Sequence, residues 1–269
     1  MSAPVVRLSI RVHADRAETA LADLLPLLGR GAEERDLGAS IEYAIYLPEG
    51  ELPPPDAIRR LAGDALVGTL IEPVPEGWDR RHLEHLRRIE VAGLTIRPPW
   101  LDGDPGDLII DPGTTFGAGT HESTRLSLEL LVAAEPGGAL CDWGAGSGIL
   151  AVAAARLGWD PVIALELDPQ ALGVIEANAA ANGVRVDART ADLLTGGLPW
   201  APTVIANLTP ALHEGVAGRS RPERLIASGF LARYADDIAA LYAPLREVDR
   251  RVDGEWAALM LAPRRTTLA

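Results

Sequence analysis

The chain has 269 residues, of which 48% are hydrophobic and 23% charged, and its formal net charge is −13 at pH 7. A chain of this length accommodates one large domain or two unequal ones around a buried core. A surface this acidic argues against direct nucleic-acid binding, and no stretch reaches the ~18 apolar residues that a membrane span needs. All 25 basic residues are arginine, which excludes a Walker-type phosphate lysine and a Schiff-base lysine.

Cysteine and histidine usage excludes further kinds of site. The single cysteine, Cys141, rules out an internal disulfide and a cysteine zinc site. His82 and His85 lie one turn apart on a predicted helix, but no third ligand is near, so no metal is expected. The first residues lack the basic region and the long apolar core of a signal peptide, and we expect a cytoplasmic protein.

Residues 1–72 are predicted to form a small α+β domain of the ferredoxin-like kind. Hydrophobic alternation predicts strands over 5–12 and 40–47, and helical spacing predicts helices over 15–28 and 56–67. The domain carries no catalytic constellation. Substrate recognition is therefore its expected role, with packing or dimerisation as the alternative.

A linker is predicted at residues 73–97, because prolines and a glycine interrupt the chain between Glu72 and Gly77. It contains a short, charged helix over 78–88. Residues 98–269 are predicted to form the second domain.

The second domain is organised around the sequence A-L-C-D-W-G-A-G-S-G at residues 139–148. An apolar run leads into three glycines at alternate positions, and good helix formers follow over 149–157. Glycines let the backbone take positive φ and let a ligand lie against the turn, while the free N–H groups of the helix start face the same space. The pattern predicts a strand, a ligand-binding turn containing Asp142, Gly144 and Gly146, and a helix.

The spacing of this turn separates two cofactor classes. A dinucleotide fingerprint has its third glycine at the fifth position after the first, but here Gly148 comes one position earlier. A second predicted strand, 161–167, ends in Glu166, whose carboxylate can accept both ribose hydroxyls of an adenosine. The pattern resembles motifs one and two of the class I methyltransferases, which bind S-adenosylmethionine (SAM). It therefore favours SAM over NAD or FAD.

The rest of the second domain continues the alternation of strands and helices. Strands are predicted over 184–190, 203–208, 224–228, 246–253 and 255–262, with helices over 169–182 and 231–243. Asp192 follows the first of these strands, where an adenine base would be met, and Asn207 ends the second beside the ligand turn. The order predicts a Rossmann-like seven-stranded class I methyltransferase domain rather than a symmetric dinucleotide fold.

A second glycine-bearing loop, Asp111–Thr124, precedes a helix predicted over 125–134 with Ser123 or Thr124 as its cap. Gly, Thr and His ahead of a helix favour a loop that covers a ligand, with a plain capped loop as the alternative. His121 in this loop is a candidate for proton removal, but a structural or cofactor-facing role is favoured.

Four segments resemble the ribosomal protein L11 methyltransferase family (PrmA type). They are F-G-A-G-T-H-E-S-T-R at 116–125, D-W-G-A-G-S-G-I-L-A at 142–151, Glu166–Pro169 and Ala206–Leu208. The resemblance implies a SAM-dependent enzyme that methylates lysine or N-terminal amino groups of a large-subunit ribosomal protein, a basic partner for an acidic chain. We expect no nucleic-acid or membrane partner, and a monomer is favoured.

The resemblance, carried over by position, also assigns site residues. Ser123, Gly144, Glu166 and Asn207 would contact the cofactor, and Phe116 and Thr120 would belong to the loop over it. With the residues predicted from the strand ends, the full cofactor set is Phe116, Thr120, Ser123, Asp142, Gly144, Gly146, Glu166, Asp192 and Asn207. Asn207 is also the expected catalytic residue, because its amide is suited to orienting the hydrogens of an attacking amine.

Two alternatives stay open at this point. One is a methyltransferase that acts on another protein lysine or on a small molecule, and the other is a non-catalytic SAM-binding module. Thr209 stands where the family commonly has a larger side chain, which leaves the substrate open. A nicotinamide oxidoreductase is disfavoured by the glycine spacing.

Overall fold

The computed structural model describes residues 5–17, 20, 21, 24, 33–74, 86–113 and 119–263. The chain divides into two compact units, Met1–Arg81 and His82–Ala269. Most of the predicted linker helix, and Phe116 of the predicted cofactor loop, lie outside the described residues. Among the described residues, no helix combines the length and the apolar character that crossing a membrane requires. The same residues contain no group of three or more His, Cys, Asp or Glu placed to hold a metal ion.

The first unit contains an antiparallel four-stranded sheet. Its strands are β1 (Val5–His13), β2 (Glu33–Asp36), β3 (Ser40–Pro48) and β4 (Leu66–Pro73), in the spatial order β2-β3-β1-β4. Helix α1 (Pro55–Ala62) precedes β4, and residues 17, 20, 21 and 24 between β1 and β2 are also helical. Alternate residues of β1, among them Leu8 and Ile10, pack in one core with Ile58 of α1. This is the predicted ferredoxin-like arrangement.

The sequence predicts only two of these four strands. Strand β2 reads E-E-R-D, which no strand pattern selects, and its pairing with β3 is a product of tertiary context. The helix predicted over 56–67 ends at Ala62, because Gly63 adopts a φ of 52° and the chain turns there towards β4.

The second unit contains a small sheet and a seven-stranded main sheet. The small sheet comprises β5 (Ile89–Val91), β6 (Leu94–Arg97) and β7 (Leu108–Ile109). The main sheet comprises β8 (Leu140–Trp143), β9 (Val162–Glu166), β10 (Asp187–Thr190), β11 (Thr203–Asn207), β12 (Arg224–Leu231), β13 (Arg246–Asp253) and β14 (Trp256–Ala262). Its spatial order is β10-β9-β8-β11-β12-β14-β13, with β14 antiparallel to both neighbours and the other pairs parallel. The predicted seven-stranded Rossmann-like domain is confirmed.

Helices cover both faces of the main sheet. They are α2 (Glu122–Ala133), α3 (Ile149–Leu157), α4 (Pro169–Ala181), α5 (Pro210–Val216) and α6 (Ala235–Leu241). Neighbouring strand residues point into opposite cores, so Leu140 packs with Leu130 of α2, whereas Cys141 packs in the core that contains Val216 and Ile238. Burial on both faces explains why the central strands read as uninterrupted apolar runs.

Several predicted boundaries move. Strand β12 extends to Leu231, three residues beyond its predicted end, and α6 begins at Ala235, four residues after its predicted start. Helix α2 begins at Glu122, and its N-cap is His121 rather than Ser123 or Thr124. Strand β10 begins at Asp187, three residues later than the apolar pattern indicates.

Candidate active site

The predicted glycine turn joins β8 to α3 in a conformation that requires glycine. Gly144, Gly146 and Gly148 have φ values of 73°, 53° and 78°, a region that residues with a Cβ rarely adopt. A Cβ at Gly144 would lie 2.8 Å from Leu208 Cδ2, and one at Gly148 would lie 2.9 Å from Ile175 Cγ2. Gly144 and Gly146 are partly exposed, so the turn presents backbone without a side chain at these two positions.

The carboxylate of Glu166 lies beside this turn, at the carboxyl end of β9. Its Oε2 accepts a hydrogen bond from the Gly146 N–H at 2.9 Å. Its Oε1 accepts from the N–H groups of Leu167 at 2.7 Å and Asp168 at 3.2 Å. Three backbone donors thus fix a half-buried, acceptor-only group next to the glycines.

Asp142 lies under the turn rather than on its open side. Its side chain is buried, Oδ2 accepts from the Ala151 N–H at 3.1 Å, and Oδ1 has no hydrogen-bond partner among the described residues. Burial raises the pKa of this carboxyl to about 7, and the nearby charge of Glu166 also raises it, against the opposing effect of the Ala151 N–H. The structure gives Asp142 a role in holding the start of α3.

Asn207 ends β11, the strand that pairs directly with β8. Its Nδ2 donates to Thr124 Oγ1 of α2 at 3.3 Å. Because both strands are parallel, their carboxyl ends bring Asn207 and the glycine turn to the same edge of the sheet, where the strand order reverses direction. Open α/β sheets bind their ligands at such a position.

The start of α2 is closed by an interaction between His121 and Ser123. His121 Nδ1 accepts from the Ser123 N–H at 3.2 Å and lies 2.8 Å from Ser123 Oγ. The His121 and Trp256 rings pack in a T-shaped arrangement, with ring centroids 4.5 Å apart. Ser123 is buried, whereas Thr120 is exposed. His121 therefore caps α2 and packs against Trp256.

Asp192 lies in the loop after β10, with both carboxylate oxygens turned onto that loop. Oδ1 accepts from the Leu194 N–H at 2.8 Å, and Oδ2 accepts from Thr195 Oγ1 at 2.6 Å. The Thr195 hydroxyl, followed by the Leu194 N–H, lowers the pKa of this carboxyl. Asp192 shapes its own turn next to the expected adenine position.

The described part of the chain therefore brings Gly144, Gly146, Glu166 and Asn207 to one edge of the sheet. Asp142 and Ser123 are buried, Asp142 at the start of α3 and Ser123 in the first turn of α2. Sequence reasoning does not identify the buried polar residues that hold it together, namely Thr124, Asn178, Asn182, His213 and Ser228. Their only sequence signal is a polar residue within an apolar helical or strand pattern, which is too common to single them out.

The fold and this site together define a class I methyltransferase: the sheet order, the glycine turn after β8 and the carboxylate at the end of β9 all belong to that class. The family described as ribosomal protein L11 methyltransferase (PrmA) matches residues 67–264. The chain belongs to this family, and it is therefore a protein methyltransferase.

Individual relatives agree with this membership. The chain is 33% identical, over an alignment 293 residues long, to a ribosomal protein L11 methyltransferase of Bordetella parapertussis. The alignment covers 92% of this chain and 95% of that protein. It is 41% identical over 216 residues to the protein of the same name from Pelotomaculum thermopropionicum, covering 75% and 70%. A solved structure, the ribosomal protein L11 methylase of Lactobacillus delbrueckii subsp. bulgaricus, matches with 26% identity and a TM-score of 0.57 over 63% of this chain and 94% of that one.

Proposed function

We propose that this protein uses SAM to methylate amino groups of ribosomal protein L11. The observation that carries the proposal is the Glu166 carboxylate, which is held by three backbone N–H groups beside a turn whose glycines have positive φ. A carboxylate in this position suits the two ribose hydroxyls of the cofactor, and bare backbone allows its close approach. Family membership supplies the expected methyl donor and acceptor.

The residues of the chain would bind and orient rather than act as strong acids or bases. SAM supplies a methyl group on a positively charged sulfonium, and transfer to an amine is an in-line displacement. Holding the reacting atoms ~3–3.5 Å apart and aligned can contribute roughly 7–11 kcal/mol of the barrier. The Nδ2 group of Asn207 donates to Thr124, which leaves its Oδ1 to accept a hydrogen of the incoming amine.

The amine must lose its proton before it attacks. An amine that is desolvated next to a cation has a lowered pKa, so the site needs no dedicated strong base. Residues 1–72 would recognise the protein substrate, and the net charge of −13 suits a basic partner. We place the reaction in the cytoplasm and propose a monomeric enzyme.

The test is methylation of purified ribosomal protein L11 with isotope-labelled SAM, followed by intact-mass and peptide analysis. Transfer of label to lysine or N-terminal amines is the expected result. Asn207→Ala is expected to lower kcat at least tenfold and to weaken SAM binding by less, because the amide is proposed to orient the amine in addition to contacting the cofactor. Tight SAM binding without any label on L11 would overturn the substrate, and a wild-type kcat for Asn207→Ala would overturn the role of that residue.

A further inference from the structure

Two buried asparagines, Asn178 in α4 and Asn182 at its C-cap, hold an extended segment of the chain. Asn182 Oδ1 accepts from the Ile109 N–H at 2.9 Å, and its Nδ2 donates to the Ile109 carbonyl at 2.6 Å. Asn178, one turn earlier, makes the same pair of bonds to Asp111. Its Oδ1 accepts from the Asp111 N–H at 2.9 Å, and its Nδ2 donates to the Asp111 carbonyl at 2.8 Å. Each side-chain amide therefore replaces the backbone partner that a neighbouring strand would provide.

The geometry of a helix beside an extended chain explains the match. Four helical residues rise about 6 Å, and two extended residues advance about 6.6 Å. The C-cap residue 182 and residue 178 of α4 therefore lie opposite residues 109 and 111 of the segment. The register continues to Gly113, where a Cβ would lie 3.4 Å from Val174 Cγ2, one further turn along the helix.

Asn178 makes one contact that Asn182 lacks. Its second Nδ2 hydrogen is donated to the Ser147 carbonyl at 2.9 Å, inside the glycine turn between Gly146 and Gly148. The second Nδ2 hydrogen of Asn182 goes instead to the Asn178 carbonyl, within α4. Both asparagines are buried, so none of these bonds can be replaced by water at low cost.

We infer that Asn178 is a positioning residue for the cofactor site. It holds the Ser147 carbonyl and both backbone groups of Asp111 with one side chain, so the glycine turn and the segment 109–113 keep one relative geometry. Cofactor affinity should depend on this link, whereas the bonds of Asn182 serve the stability of the fold. The inference rests on the proposed use of SAM at the glycine turn.

Asn178→Ala and Asn182→Ala form a matched pair for the test, because both remove a buried amide at the C-terminal end of α4 that bonds to the same segment. Both variants should unfold at a lower temperature than the wild type. SAM affinity by calorimetry should fall about tenfold for Asn178→Ala only, with a raised KM for SAM and a retained kcat at saturating SAM. Equal SAM affinities of the two variants, or equal losses, would overturn the inference.

Amide hydrogen exchange of the wild-type protein gives a second measurement that needs no variant. SAM should slow exchange in peptides covering both 144–150 and 109–113, in the same titration. Protection of the turn without protection of 109–113 would contradict the link. Absence of any SAM binding by the wild type would instead contradict the proposed function, so the two failures can be distinguished.

Discussion

At the scale of single residues, cofactor recognition depends on the charge and position of Glu166. Its oxygens are already fixed by backbone N–H groups of the glycine turn and of the turn after β9. A ligand hydroxyl that bonds to this carboxylate therefore meets an acceptor that loses little conformational freedom on binding. Charge-assisted bonds of this kind are the stronger class of hydrogen bond.

We predict that Glu166→Ala weakens SAM binding by about 1.5–3 kcal/mol, measured by calorimetry, and leaves the fold intact. Asp168→Ala is the matched control, because Asp168 is a carboxylate two residues away whose Oδ1 accepts from the Gln170 N–H at the start of α4. The control should lose about 1 kcal/mol of stability through its helix cap but keep its SAM affinity. Unchanged SAM affinity of Glu166→Ala, or tight NADH binding by the wild type, would contradict the assignment.

At the scale of elements, His213 joins α5 to the strand ends that carry the site. The Ser228 carbonyl can only accept, so His213 Nε2, at 2.9 Å, carries the hydrogen, and Nδ1 accepts from the Tyr242 hydroxyl at 2.8 Å. The same carbonyl accepts from the Leu208 N–H at 3.0 Å, directly after Asn207. His213 is thus a buried, neutral imidazole that holds β11, β12 and α5 together.

Burial lowers the pKa of His213 to about 4, while its bond to the Ser228 carbonyl acts in the opposite direction. Below pH 6.5, the ordinary pKa of histidine, His213 is protonated in the unfolded chain. In the folded chain it stays neutral until the pH falls to about 4. The stability contributed by the neutral imidazole is therefore complete above pH 6.5 and is lost as the pH falls towards 4, by about 3 kcal/mol in total.

We predict that His213→Phe removes this pH dependence. Denaturant unfolding of wild type and variant between pH 4 and 7 should give free energies that converge as the pH falls. Asp142 has a raised pKa and acts with the opposite sign, but it is present in both proteins and cancels from the difference. Tyr242→Phe is the control, since it removes a hydrogen-bond partner but keeps the imidazole and its titration. A pH-independent difference between wild type and His213→Phe would refute the prediction.

The elements that the sequence predicts correctly are those with a strong local signal. The glycine turn, β8, β9 and α3 follow from apolar periodicity and from glycines that no other residue can replace. Helix α5 is absent from the prediction because a proline, a histidine and a glycine occur within seven residues, although Pro210 at its first position and the Thr209 cap specify its start. The link from Asn178 to residue 111 joins positions 67 residues apart, and only the folded chain reveals it.

At the scale of the whole molecule, each of the two compact units has an interior of its own. The first unit buries apolar residues of β1, β3 and α1 in one cluster. On the other side of its sheet, Glu42 accepts from Arg7 at 2.7 Å and Arg11 at 2.8 Å, and the bond from Arg7 contributes most to lowering the pKa of that carboxyl. Every described contact proposed for SAM lies in the second unit, beyond residue 115.

A protein that begins at Pro75 should therefore still bind SAM with the wild-type affinity in calorimetry. We predict that it loses methylation of intact ribosomal protein L11, because residues 1–72 are proposed to grip the protein substrate rather than the cofactor. The decisive measurement compares the change in SAM affinity with the change in L11 methylation.

Loss of both SAM binding and methylation would show that the shortened chain does not form the site. Full activity on L11 would leave the first unit with a role in packing or in contacts between copies of the chain.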